Sequence, residues 1–180
     1  MKRIYLILVL FACSKMLNAQ GNYPKPEYAN YPYFFDKGNQ KLVALEKSSA
    51  KMKNKMKLLG YGGSTQQYVI DGDKASVNIK GSDTCEFVMS GANQMMDASQ
   101  MITLYSFKSG GKERVAVMQQ AGGRFGKDKD NPDKISFNVK KEDDKLIFVL
   151  PKLSHGEYGF VNMMSMSGGR SVDVYCFRVE

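Results

Sequence analysis

Nucleophilic catalysis requires a base that the fold holds against a serine or cysteine. The chain of 180 residues has one histidine, His155, directly after Ser154 in LSHGEYGF. Adjacent side chains diverge and seldom make such a pair, so His155 reads as an exposed loop residue and the protein as non-enzymatic. Carboxylates cluster twice. Glu142-Asp143-Asp144 has the composition of a hairpin turn, and DKDNPD at 128–133 interleaves acids with lysine and lacks the downstream bidentate glutamate of an EF-hand loop. Gly122-Gly123-Arg124-Phe125-Gly126-Lys127 lacks the four-residue spacer before Gly-Lys-Ser/Thr that a phosphate-cradling loop needs, and it reads as a turn. No cofactor is expected.

Softer chemistry is concentrated in methionine. Met163-Met164-Ser165-Met166 and Met95-Met96, with Met101 nearby, put thioethers in two loops, and thioethers select Cu(I) over harder ions. A periplasmic copper carrier with Met-rich loops is therefore the alternative reading. Against it, methionine is a routine core filler, and Met163 is expected to point inward from a strand.

Lys51, Lys53, Lys55 and Lys57 alternate with Met52, Asn54, Met56 and Leu58. Period two puts all four lysines on one face of a strand. That face is the candidate site for an anionic glycan or lipid headgroup; its structural counterpart is an edge strand whose lysines block edge-to-edge pairing. Tyr23, Tyr28, Tyr31 and Tyr33 could stack on sugars, and the competing expectation is that this proline-rich arm packs its rings on the domain.

The elements that position these groups start with an export signal. Lys2 and Arg3 precede the apolar stretch 4–12, and Leu17-Asn18-Ala19 supplies a small-residue cleavage site before Gln20. Residues 1–19 are thus predicted to be a cleaved signal peptide, with a lipoprotein anchored through Cys13 as the alternative. The leader carries three cations and no acid, so the precursor's +8 becomes +5 in a mature chain of 161 residues with no transmembrane span. That length suits one domain. The charge is too dilute for a nucleic-acid partner. Export permits a disulfide between Cys85 and Cys176, with two buried thiols as the rival, and two cysteines with one histidine make no zinc set.

After an extended arm at 20–30, short runs rich in Val, Ile, Phe, Tyr and Thr recur between Gly, Asp and Lys turns. They predict strands at 31–36, 41–47, 51–58, 66–70, 75–80, 84–89, 102–108, 113–119, 134–140, 145–150, 157–163 and 171–179. A helical stripe through Leu42, Leu45, Met52, Met56 and Leu59 competes over 51–58, and the strict lysine alternation favours the strand.

L-x-x-G-x-Y-x-F at 153–160 resembles the tyrosine corner of Greek-key sandwiches, in which a tyrosine hydroxyl, here of Tyr158, bonds back to backbone where the chain crosses between sheets. With its AQ-type leader, YFFDKGNQKLVALEK, LSHGEYGF and the terminal VYCFRVE, the chain resembles the small exported β-sandwich proteins of Bacteroidetes-type bacteria, which are largely uncharacterised. The resemblance implies an all-β, Greek-key, immunoglobulin-like β-sandwich over residues 31–180 and carries over no catalytic residue. The expected work is binding in the cell envelope, with an envelope protein or an anionic glycan as partner.

Overall fold

Alternation of apolar and polar residues yields fourteen strands among the described residues. They are β1 (Tyr33–Asp36), β2 (Lys41–Ala44), β3 (Glu46–Met56), β4 (Ser64–Asp71), β5 (Asn78–Ile79), β6 (Cys85–Ser90), β7 (Ile102–Ser109), β8 (Glu113–Ala121), β9 (Lys129–Asp130), β10 (Lys134–Ile135), β11 (Asn138–Glu142), β12 (Lys145–Leu150), β13 (Gly156–Ser167) and β14 (Ser171–Val179). The computed structural model describes residues 23–56, 63–81, 83–91, 101–122, 127–167 and 171–180. The predicted leader, Cys13, Lys57, Met95, Met96 and the 123–126 part of the glycine turn lie outside the described residues.

The strands form two layers. β7, β13, β14, β3, β4 and β8 pair in that order, all antiparallel, and β8 returns to β7 through Lys108↔Val115 and Ser109↔Arg114, which closes a six-stranded barrel. β11, β12, β6, β1 and β2 form a separate five-stranded sheet. The all-β expectation holds. The immunoglobulin-like arrangement of two open sheets is replaced by a closed barrel with a sheet laid on its wall, because strand alternation fixes which residues face inward and leaves open whether a sheet's last strand meets its first.

Period two explains how one wall serves two cores. On β14, Val172, Val174 and Cys176 enter the barrel, where they meet Ala50, Tyr68, Phe107 and Val161. The alternate residues Tyr175, Phe177 and Val179 face the sheet and pack with Phe87, Phe148, Leu150 and Phe160. Phe87, Phe148, Phe160 and Phe177 are wholly buried, each stabilising the fold by about 1.5–3 kcal/mol. Phe87 sets its ring edge-on to Phe160 at 4.9 Å. A glycine at 159 is demanded by the barrel interior: a Cβ there would lie 2.6 Å from Val174 Cγ1.

The arm does pack its rings. Tyr23 meets Phe35 edge-on at 4.9 Å and donates its hydroxyl to Glu86 at 2.9 Å, covering the outer face of the sheet beside Val88 and Ile147. Tyr31 packs on Tyr175 at 4.4 Å, whereas Tyr28 is exposed.

Two predicted strands are each broken in two. The 41–47 run divides at buried Leu45, so that β2 joins the sheet and β3 the barrel; the 134–140 run divides into β10 in the barrel sheet and β11 in the other. Leu45 and Phe137 both turn into the core between the layers as the chain crosses it. A third crossing, 151–155 between β12 and β13, carries the corner bond: the Tyr158 hydroxyl donates to the Ser154 carbonyl at 2.8 Å. Of the predicted strand over 51–58, residues 51–56 form the second half of β3, and 57–58 lie outside the described residues.

No bridge joins Cys85 to Cys176. Cys85 belongs to the core between the layers and Cys176 to the barrel interior, so the possible disulfide gives way to its rival, two buried thiols in separate cores. Burial pushes the Cys176 thiol up to about 12, which keeps it protonated at neutral pH.

Candidate functional site

The edge strands of the five-stranded sheet, β2 and β11, reach past the core between the layers. Val43 on β2 lies opposite Phe34, and Val139 on β11 opposite Phe148, so both valines face the barrel side, yet they are 37% and 39% exposed. Under the β2 overhang lies a groove of about 700 Å³, within the 300–1,000 Å³ range of ligand pockets. Its apolar lining residues are Phe34, Phe35, Val43 and Ile79. Ile79 is held there by β5, a two-residue strand that runs parallel to β14.

The rim carries both signs of charge. Asp36 is fixed at the β1–β2 turn by the Asn39 side-chain amide at 2.7 Å and by the Gly38 and Asn39 backbone amides, and these bonds lower its carboxyl pKa. Lys37 pairs with Glu86 at 2.8 Å. Burial pushes the Glu86 carboxyl up, but Lys37 and the Tyr23 hydroxyl outweigh it and leave it below the usual range. Among the described residues β2 pairs only with β1, so its outer edge beside the groove is open.

The lysine row is only partly a basic strip. Lys51 reaches Asp71 at 3.2 Å and Lys53 reaches Glu113 at 2.9 Å, while Lys55 is exposed near the end of β3. The two acids sit opposite each other on β4 and β8, so this barrel face has mixed charge.

Of the methionines in the two loops, Met101 is buried in the core between the layers and Met163 packs into the barrel, while Met95 and Met96 lie outside the described residues. Met164 and Met166 are exposed. Met52 and Met118, which the sequence reading did not single out as ligands, pack against the barrel interior beside Met163. The signal for Met52 was present in the alternation that revealed the lysines, on the opposite face of the same strand.

His155 is exposed in the crossing loop. The DKDNPD oxygens serve the barrel: Asp133 accepts from the Val117 amide at 2.7 Å, Asn131 from the Tyr105 hydroxyl at 2.8 Å, and Asp128 from the Gly122 amide at 2.7 Å. Asp143 takes a left-handed φ of 52° in the β11–β12 turn. Among the described residues no group of three His, Cys, Asp or Glu could hold a metal ion, and no helix is long and apolar enough to cross a membrane.

A buried ion network missed by the sequence reading lies inside the barrel wall. The Arg114 guanidinium donates to Glu46 at 2.7 Å and lies 3.8 Å from Glu157. Glu157 accepts the Ala75 amide at 2.8 Å, and Glu46 accepts the Ser76 amide and the Ser48 hydroxyl. These bonds tie β3, β8 and β13 to the 72–77 segment. Burial pushes the Glu46 carboxyl up, yet Arg114, Ser76 and Ser48 together hold it below the usual range. Both Glu46 oxygens and Glu157 Oε2 are hydrogen-bonded or ion-paired, while Arg114 Nε is buried without a partner among the described residues, and the cluster ties strands together.

Set beside protein-family models, curated proteins and solved structures, the chain matches none of them. The groove's own chemistry is therefore the basis for a functional reading.

Proposed function

We propose that the protein is an exported, non-catalytic binding protein of the cell envelope, and that it holds an extended peptide segment of another envelope protein in the groove beneath β2. One observation supports this most directly: Val43 and Phe34 leave apolar surface uncovered next to an open strand edge. An added strand would hydrogen-bond to that edge, while its alternate side chains entered the groove. The groove is lined by three acids and two lysines, which favours a partner of mixed charge over a polyanion, and the ion pairs at Lys51 and Lys53 weaken the glycan reading of the lysine row. Export rests on the leader sequence.

The test uses capture from envelope extracts followed by binding of the captured partner's own peptides. Val43→Asp should abolish binding, and Val139→Asp, at the opposite overhang, should leave it intact. Equal binding by wild type and Val43→Asp would exclude the groove. Binding to an anionic glycan that disappears when Lys51, Lys53, Lys55 and Lys57 become glutamine would replace the peptide reading with the glycan one.

A further inference from the structure

Six methionines gather toward one end of the barrel. β3 brings Met52 and Met56, β8 brings Met118, and β13 brings Met163, Met164 and Met166. Three of them centre on Tyr68. Met52 is its direct partner across the β3–β4 ladder, and Met118 lies two residues beyond its β8 partner Ala116. Met163 receives the Tyr68 hydroxyl on its sulfur at 3.7 Å from across the barrel. Tyr68 itself is wholly buried, and this thioether is the acceptor its hydroxyl finds.

Among the described residues, this end of the barrel is exposed. Asn54 and Gln66 follow Met52 and Tyr68 on the inward faces of the same strands and are exposed, and Met56, two residues further along, is 85% exposed. Met52, Met118 and Met163 are each partly buried, between the sealed core and this mouth. A core filler would gain most from complete burial. Here soft donors from three separate strands instead lie between the sealed core and the exposed Asn54 and Gln66.

We infer that the thioethers of Met52, Met118 and Met163 form a Cu(I) site at the mouth of the barrel. Thioethers remain ligands at any physiological pH because they carry no proton to lose, and their softness selects Cu(I). Behind them Ala50, Ala116 and Val161 are apolar, and the oxygen beside Met163 Sδ belongs to the neutral Tyr68 hydroxyl, a poor ligand for a harder ion. On binding, Met163 Sδ turns its lone pair to the metal, and the Tyr68 hydroxyl loses its acceptor. The site is independent of the groove, so either can fail without the other.

The experiment uses the full chain with Cys13→Ser, given Cu(I) anaerobically from its complex with a chromophoric chelator. It should withdraw one equivalent. Joint replacement of Met52, Met118 and Met163 by leucine should abolish that uptake, whereas joint replacement of Met56, Met164 and Met166 should not. No uptake by the parent, loss in the second triple variant, or loss on Cys176→Ser would each overturn the assignment. Should the first triple variant fail to fold, Ag(I) added to the parent labelled with 13C at its methionine methyls decides instead. The resonances of Met52, Met118 and Met163 should shift while buried Met89 and Met101 stay in place; unmoved resonances at the first three would refute the site.

Discussion

Alanine at position 159 would carry its Cβ to 2.6 Å from Val174 Cγ1 and 3.0 Å from Phe107 Cε2, well inside the ~3.5 Å at which carbon atoms attract. Relief by backbone movement is costly, because β13 is hydrogen-bonded to β14 on one side and β7 on the other. Overpacking of this kind costs about 1–3 kcal/mol, and two simultaneous contacts against fixed strands place Gly159→Ala near ~3 kcal/mol. With a urea slope of ~2 kcal/mol per molar, the midpoint should fall by about 1.5 M. Val174→Ala removes the nearer obstacle. Alone it should cost ~1.6 kcal/mol for two buried methyl-sized groups. In the Gly159→Ala background it also relieves the closest contact, so the double variant should be more stable than additivity predicts by about 1–2 kcal/mol. Urea unfolding of the four proteins, followed by tyrosine emission in this tryptophan-free chain, measures the cycle. An unchanged midpoint for Gly159→Ala, or strict additivity, would show that β13 does not face the barrel as described.

Tyr158→Phe deletes the bond to the Ser154 carbonyl. Because Ser154 is exposed and water can replace the donor, the loss should be about 0.5–1.5 kcal/mol by urea unfolding; no loss would remove the corner bond as a stabilising feature. The Glu46 carboxyl is depressed in the folded state. It therefore adds stability that is complete above its unfolded value of ~4.3 and is lost as pH falls through the lower folded value. Glu46→Gln should lower the urea midpoint at pH 7 and flatten its decline in acid, and parallel curves for the two proteins would show that Glu46 is not a source of the acid sensitivity.

Most strands could be read from the sequence because alternation and turn residues act locally. The lysine alternation placed 51–58 in a strand despite a competing helical stripe, and LSHGEYGF announced a tyrosine bond at a crossing between layers. Closure could not be read, since it depends on two residue pairs between β7 and β8 that leave no mark on composition. Nor could the crossings at Leu45 and Phe137, where an apolar run continues while its sheet changes. The groove was equally hidden. Val43 reads as an ordinary strand valine, and only its place on an edge strand leaves it uncovered. For Lys51 and Lys53, Asp71 and Glu113 are far off in sequence and become neighbours through the ladders.

The wall of β7, β13 and β14, buried on both faces, also sets how the molecule comes apart. A chain with two hydrophobic cores could melt in two steps if each core had its own strands. Here the barrel and the layer under the sheet share three strands, so loosening one core strips a face from the other. Heat should then unfold both together in a single transition, with calorimetric and van't Hoff enthalpies in agreement. The slowest-exchanging amides should be those at Leu104, Phe160 and Tyr175, at the centre of the wall, and the fastest those of the overhanging edges β2 and β11.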